Sequence, residues 1–177
     1  MKTLNKILMA ALTLSILLVG FAYVLPSTWS VTRSIIIQAP PQAIHPFVED
    51  LRRWPSWVMW ANDPTLKYEY FGAPVGVGAG QSWVSDETGS GTLSIKESNA
   101  QKGLIYLEQF GIEKSSMHGA LRYEALPNGT KVTWTSLGAL GQNPISRYLG
   151  LLMDYKVGTE LEQSLNNLKK IVETHGA

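Results

Sequence analysis

The residues of this protein that could take part in acid–base or metal chemistry are its histidines and the glutamates inside predicted strands. His45, His118 and His175 lie far apart in the sequence, so we predict no metal site, and we expect His118 to be an ordinary surface or core residue. Glu97 and Glu108 lie inside predicted strands. In a cavity, desolvation would raise the pKa of either and suit it to act as an acid or base. Neither has an identified partner, so we expect both to face solvent and predict no catalytic residue.

Motifs that carry known chemistry are absent or fall in the wrong context. The zinc-protease, serine-hydrolase and phosphate-loop signatures do not occur. Gly76, Gly78 and Gly80 imitate a dinucleotide fingerprint, but they link strands instead of opening a helix, so we expect loop residues and no cofactor. Asn128-Gly129-Thr130 matches an N-glycosylation acceptor, yet Asn-Gly is also a strong hairpin signal, and we assign it to a turn.

The composition excludes several classes of function. The chain has no cysteine, which removes disulfides, thiolate zinc sites and cysteine catalysis together. Its 15 basic and 14 acidic residues nearly cancel, and no basic run follows the amino-terminal segment. Nucleic-acid binding, which needs clustered Lys and Arg for the phosphates, therefore has no support.

Residues 7–25 form an uncharged apolar run that is preceded by Lys2 and Lys6. A helix of this length spans about 28 Å, close to the thickness of the hydrocarbon layer of a bilayer. The basic residues predict that residues 1–6 stay in the cytoplasm and that the rest of the chain is extracytoplasmic. The alternative is a cleaved secretory signal, but such signals have a shorter apolar core and a small-x-small cleavage site. Either interpretation exports the remainder of the chain, anchored in one case and secreted in the other.

A connector at residues 26–30 leads to residues 31–177, whose size is typical of one domain. Short helices are expected after Pro40-Pro41 and after Pro55. Val132, Trp134 and Ser136 alternate with polar residues, which is typical of a half-buried antiparallel strand. Strands are predicted at residues 31–38, 66–70, 81–85, 91–97, 104–110, 117–126 and 130–137.

A long helix is predicted from Pro144 onward. Its apolar stripe consists of Val157, Leu161, Leu165, Leu168 and Val172. Gly158 lies at the edge of this stripe, where it could let the helix approach the sheet or leave open volume between helix and sheet. A single amphipathic helix must bury its stripe on one face of the sheet, so the fold class is α+β.

The chain resembles the polyketide cyclase/dehydrase branch of the START-like (SRPBCC) superfamily over residues 31–174. The motifs that carry the resemblance occur in the family's order: Ala39-Pro40-Pro41, Arg53-Trp54-Pro55-Ser56-Trp57, Gly76-Val77-Gly78-Ala79-Gly80, Gly91-Thr92-Leu93-Ser94-Ile95, residues 128–134 and residues 154–173. The resemblance implies a helix-grip fold, a curved antiparallel sheet wrapped around a long carboxy-terminal helix with a mostly apolar cavity between them. It implies a pocket more firmly than a reaction.

Aromatic residues are the best candidates for lining such a cavity, because each of these tryptophans and tyrosines has a large apolar surface and one polar atom. In the implied fold they surround one space. The predicted ligand-binding residues are Trp57, Trp60, Tyr68, Trp83, Tyr106, Tyr123, Trp134, Gly158 and Leu161.

We therefore expect a membrane-anchored domain, tethered through residues 7–25, that binds a hydrophobic small molecule or lipid. Two alternatives remain open. One is a cyclase- or dehydratase-like enzyme, which predicts that at least two titratable side chains converge in the cavity. The other is a protein-interaction scaffold, which predicts a cavity smaller than about 300 Å³. No protein partner can be named.

Overall fold

The computed structural model describes residues 2–111, 115–141 and 143–175. The domain contains one seven-stranded sheet with the order β1-β7-β6-β5-β4-β3-β2. The helices are α1 (Lys2–Ala22), α2 (Pro41–Val48) and α3 (Arg147–His175), with 3-10 turns at Leu51–Ser56, Met59–Asn62 and Pro144–Ser146. The strands are β1 (Thr28–Ile37), β2 (Lys67–Gly72), β3 (Ala79–Ser85), β4 (Gly89–Asn99), β5 (Gly103–Phe110), β6 (Ser115–Leu126) and β7 (Gly129–Ala139).

Every neighbouring pair of strands in the sheet is antiparallel. Strands β2 to β7 follow one another as a meander, and β1 returns to pair with β7 along its whole length. A two-residue hairpin joins β6 to β7 at the predicted turn. Its loop residues are Pro127 and Asn128, because Gly129 already pairs with Leu126 as the first residue of β7. The alternation predicted for β7 is also confirmed, because Val132, Trp134 and Ser136 are all buried.

Helix α3 packs along β1 and places its apolar stripe on the concave face of the sheet. Leu161, Leu165, Leu168 and Val172 are all buried there, as the helical spacing predicts. Lys169 Nζ donates to the Ile36 carbonyl at 2.8 Å and lies 3.6 Å from Glu173 Oε1, with which it forms an i, i+4 ion pair. This is the helix-grip arrangement that the resemblance implies, and the fold prediction is confirmed.

Helix α1 projects away from this domain. Residues 3–21 are exposed, and only Ala22 at the end of the helix is buried. Its span Thr3–Ala22 is long and apolar enough to cross a membrane. The helix ends before the predicted limit at residue 25, and β1 already begins at Thr28, so most of the expected connector belongs to the sheet.

The two ends of the sheet differ in what lies beside them. Strand β1 begins at Thr28, directly after α1, and Thr28 pairs with Ala139 at the end of β7. Because each strand is antiparallel to its neighbour, the start of β6, the end of β5 and the turn at residues 86–88 lie at this same end. We call it the α1 end of the sheet; α3 also begins there.

Candidate functional site

A cavity of about 940 Å³ lies between the sheet and α3 at the α1 end. Its size falls within the range of about 300–1,000 Å³ found for small-molecule sites. Aromatic and aliphatic side chains from β1, β2, β3, β5 and β6 form one wall, and the first half of α3 forms the other. The side chains on these walls include Trp29, Leu66, Tyr68, Trp83, Phe110, Met117, Leu149, Met153, Val157 and Leu161.

A group of packed rings explains why this space stays open. Trp54 lies in the first 3-10 turn, and Trp57 follows it. Their ring centroids lie 6.1 and 5.5 Å from that of Trp134, which belongs to β7 of the sheet. Asn167 of α3 donates to the Trp57 carbonyl at 3.2 Å. The two tryptophans thus lie between sheet and helix and hold them apart, since close-packed rings cannot be compressed. Beyond them, toward the α1 end, the side chains that the structure describes line the gap without filling it. We call Trp54, Trp57, Trp60, Tyr106 and Trp134 the aromatic cluster.

Buried polar groups of Glu108, Gln81 and Tyr68 face this mostly apolar space. Glu108 is 5% exposed and Gln81 is 2% exposed, and both line the cavity with Tyr68. Among the described residues, the Gln81 Oε1 atom has no hydrogen-bond partner, and the Tyr68 hydroxyl, which lies beside the Trp60 indole, has no acceptor for its own proton. Buried polar atoms are rarely left unsatisfied, because each costs about 1–3 kcal/mol. The arrangement is suited to a ligand that supplies the missing donor and acceptor.

The electrostatics of the cavity favour neutral groups. Burial, with a smaller contribution from Glu160, raises the pKa of Glu108 to about 8. Burial also raises the pKa of Glu160, which lies on α3 across the cavity, and that of the Tyr68 and Tyr106 hydroxyls. At neutral pH Glu108 is therefore mostly protonated and can donate a hydrogen bond. The buried part of the walls offers hydrogen-bonding groups with little charge, which suits an uncharged polar end of a ligand, whereas Lys156 and Glu87, which also line the cavity, are exposed.

The burial of Glu108 corrects the expectation that it faces solvent. In β5, Glu108 lies two residues after Tyr106 and four after Leu104, and both of these are buried. Side chains two residues apart in a strand share a face, so this spacing was the signal in the sequence that Glu108 points inward. Glu97 is exposed as expected. It follows a bulge between Ile95 and Glu97 that breaks the alternation of β4.

The predicted ligand-binding residues separate into three groups. Five of them line the cavity: Trp60, Tyr68, Trp83, Tyr106 and Leu161. Trp57 and Trp134 are fully buried in the aromatic cluster, where the Trp134 indole donates to the Tyr106 hydroxyl at 2.9 Å. Their contact is with protein, and their effect on the cavity is to support its walls.

Gly158 and Tyr123 lie outside the cavity walls. A Cβ atom on Gly158 would collide with the Arg33 guanidinium, which pairs with Asp154 at 3.0 Å. The glycine therefore lets α3 approach β1. Tyr123 is half-buried, and its hydroxyl lies 3.4 Å from His45 Nδ1 at the other end of the domain.

His45 is the centre of a second polar cluster, at the end of the domain away from α1. Its Nε2 atom lies 2.9 Å from the Ser98 hydroxyl and 3.4 Å from Glu49 Oε2. Both partners approach the same ring nitrogen, so they cannot form a serine–histidine–carboxylate relay, which needs one on each nitrogen. Burial lowers the pKa of His45. The i, i+4 spacing of His45 and Glu49 was the signal in the sequence for this pair.

The remaining histidines are His118 and His175. His118 is exposed on β6, and the side chain of His175 lies outside the described residues. Within the part of the chain that the structure describes, no three His, Asp or Glu side chains are grouped so that they could hold a metal ion.

The raised pKa of Glu108 predicts a pH-dependent stability. Unfolded, this carboxyl ionises near its ordinary pKa of 4.5, whereas folded it holds its proton up to about 8. The free energy of unfolding should therefore fall by about 3–5 kcal/mol as the pH rises from 4.5 to 8. Glu108→Gln should remove most of that slope, since it leaves only the smaller part due to Glu160.

Urea denaturation at a series of pH values measures this dependence. Glu97→Gln, a change at an exposed strand position, is the matched control and should leave the slope as it is. Parallel pH profiles for the native chain and Glu108→Gln would contradict the buried, protonated state of Glu108.

Comparisons with known proteins agree with this architecture. A protein-family model described as polyketide cyclase/dehydrase and lipid transport matches residues 28–173.

The fold is also found among solved structures. A Rhodobacter sphaeroides protein is similar with a TM-score of 0.60 and 17% identity over 82% of this chain and 93% of its own. The CV1439 protein of Chromobacterium violaceum has a TM-score of 0.55 and 16% identity, over 81% and 96% of the two chains. DynU16, from the dynemicin biosynthetic locus, has a TM-score of 0.58 and 14% identity over 82% and 48%. At such identities these likenesses establish the fold alone. A search of curated proteins found no match.

Proposed function

Because the chain belongs to the polyketide cyclase/dehydrase and lipid transport family, we propose that it is a membrane-anchored binding protein for one hydrophobic small molecule or lipid. The ligand occupies the cavity between the sheet and α3. The observation that carries the proposal is the cavity itself, about 940 Å³ in volume and lined mainly by aromatic and aliphatic side chains. A scaffold with a filled interior would have left less than about 300 Å³.

The polar groups in the cavity narrow the chemistry of the ligand. Gln81 Oε1 needs a donor, and the Tyr68 hydroxyl and protonated Glu108 can each donate. An uncharged hydroxyl, ketone or amide group would satisfy them. A carboxylate or phosphate there would lie against the buried Glu108, and the one cation on the described cavity walls, Lys156, is exposed and already interacts with Glu160. We therefore propose an amphiphile with a long apolar body and a small neutral polar group.

Helix α1 supports the membrane location. Its 20-residue span carries one charge, Lys6, and residues 3–21 of the helix have no contact that would bury them in the domain. An apolar helix that stays exposed is stable in lipid, where it satisfies its own backbone hydrogen bonds. Lys2 and Lys6 favour a cytoplasmic amino terminus and an extracytoplasmic domain.

Ligand capture from membranes tests this function. The full chain, purified from a membrane extract in mild detergent, is expected to carry about one amphiphile per molecule by native mass spectrometry. The bound molecules should be neutral and depleted of anionic lipids relative to the extract. A chain that stays empty in every extract, or carries lipids in the proportions of the extract, would contradict the proposal. A reporter enzyme fused after Ala177 tests the topology separately.

A further inference from the structure

We propose that the start of α3, with the 3-10 turn before it, lies in the surface layer of the bilayer that holds α1, so that the cavity is loaded from lipid. The inference rests on the proposed anchoring by α1 and adds an orientation of the domain. The surface consists of Pro144–Ser146 and the first nine residues of α3, residues 147–155. We call it the membrane face.

Direct contacts fix the membrane face against the end of α1. The Tyr148 hydroxyl donates to the Leu18 carbonyl at 2.7 Å. Arg147 Nη1 donates to the carbonyls of Tyr23 and Leu25 at 3.0 and 3.1 Å, and its guanidinium lies 5.7 Å from the Tyr23 ring. The Tyr23 and Leu25 carbonyls lie just beyond α1, where no helical N–H can reach them, and the bond to Leu18 adds a contact within the last turns of the helix.

The depth of these contacts follows from helix geometry. Leu18 lies four residues before the end of α1 at Ala22, which corresponds to about 6 Å along the helix axis. Tyrosine and arginine are the residues that extend an apolar stem into lipid and keep a polar tip in the interfacial layer. If α1 spans the bilayer, Tyr148 therefore lies at the depth of that layer, and the start of α3 lies there with it.

Five side chains of the membrane face are apolar and exposed. Ile145, Leu149, Leu151, Leu152 and Tyr155 are 59%, 53%, 64%, 60% and 82% exposed. Isolated exposed apolar residues are common on soluble domains, but five within eleven residues form a patch that marks an interaction surface. An amphipathic helix that lies in the plane of the interface buries such side chains among the lipid chains.

The charges of the segment agree with this placement. From Gly141 to Met153 the only charged residue is Arg147, and its guanidinium is already bonded to the carbonyls after α1. The next acidic residue, Asp154, pairs with Arg33 of β1 at 3.0 Å. Arg147 is therefore the charged residue of this segment that would enter the interfacial layer, and it already makes two hydrogen bonds to carbonyls.

The membrane face also borders the cavity. Leu140, Asn143, Ser146, Leu149 and Met153 belong to it or adjoin it, and all of them line the cavity. A molecule that leaves the outer layer of the bilayer between these side chains would reach Tyr68 and Glu108 without crossing water. Transfer through water costs about 0.8 kcal/mol for each exposed CH₂ group, so this route would speed the uptake of a long-chain ligand.

Site-specific fluorescence quenching tests the placement. The chain has no cysteine, so single cysteines at Leu149, Leu152, Leu12 and Ile36 can carry an environment-sensitive dye without other changes. The full chain is reconstituted in phosphatidylcholine vesicles with and without brominated acyl chains. Leu12, in the middle of α1, reports on anchoring. Ile36 is the matched control because it is equally exposed, at 51%, but lies at the end of β1 farthest from α1.

Dyes at Leu149 and Leu152 are expected to be quenched about threefold or more relative to the dye at Ile36, as is typical of interfacial residues. Quenching at Leu12 with none at Leu149 and Leu152 would overturn the membrane face and leave the anchored binding protein intact. Absence of quenching at Leu12 would overturn the anchoring and the inference together.

A second measurement uses residues that belong to the membrane face but do not line the cavity. The double variant Leu151→Asp/Leu152→Asp should slow the uptake of ligand from vesicles about tenfold while the amount bound at equilibrium stays unchanged. Ile36→Asp is the control and should alter neither. An unchanged uptake rate in the double variant would contradict loading from the membrane.

Discussion

Trp134→Ala is expected to lower the melting temperature of the domain by about 10 °C. The side chain is fully buried, and its ring contacts Trp54, Trp57 and Trp60 at centroid distances of 6.1, 5.5 and 5.8 Å. Truncating such a residue costs about 3–5 kcal/mol through lost transfer energy and the void left behind. In a domain of this size each kcal/mol shifts the melting temperature by about 2–4 °C.

Trp134→Phe separates the packing from the hydrogen bond. It keeps a ring in the aromatic cluster but removes the indole N–H that donates to Tyr106. We expect it to lose about 1–2 kcal/mol, the cost of one buried hydrogen bond and a smaller ring. Calorimetry measures both variants. A loss below about 1 kcal/mol for Trp134→Ala would contradict the aromatic cluster as the support that holds α3 away from the sheet.

The strands and the last helix were predictable from local patterns. In β7 the side chains at positions 132, 134 and 136 point inward, and the alternation of these residues with polar ones predicts this orientation. The two-residue hairpin before β7 and the apolar stripe of α3 are likewise local signals. Such patterns predict which face of an element is buried, because burial depends on the periodicity of the element.

The cavity was less predictable, because its volume depends on the distance between two elements that are remote in sequence. Trp57 and Trp60 lie three residues apart, yet Trp57 is packed in the aromatic cluster, whereas Trp60 also borders the open space. Composition cannot distinguish an aromatic residue that fills a core from one that lines a pocket. The burial of Glu108 was missed because a carboxylate in a strand usually faces water. Only its position on the same face of β5 as Leu104 and Tyr106 indicated that it is buried.

The contacts between α1 and α3 could not be predicted from the sequence at all. Tyr148 and Leu18 are separated by most of the domain, and they meet because β1 starts beside the end of β7, from which the chain passes to α3. Tyr148 and Arg147 look like ordinary residues of an amphipathic helix until the sheet brings α1 beside them. The orientation of the domain on its anchor is thus a property of the topology.

The double variant Met117→Trp/Val157→Trp is expected to reduce ligand retention about tenfold or more, equivalent to about 1.4 kcal/mol of binding free energy. Met117 lies on the sheet wall of the cavity and Val157 on the α3 wall. Two indole rings entering from opposite sides would occupy the space that the apolar body of the ligand needs. Mass spectrometry of the copurified amphiphile measures the effect.

The same double variant should keep or raise the melting temperature, because filling a void adds packing contacts where there were none. Its control is Arg122→Trp/Lys170→Trp, which puts the same side chains on exposed positions of β6 and α3 and should leave retention unchanged. Lower retention combined with equal or higher stability is a result that general damage to the fold cannot produce. Full retention in the cavity variant would mean that the ligand lies elsewhere, and a large loss of stability would mean that the space between the walls is already filled.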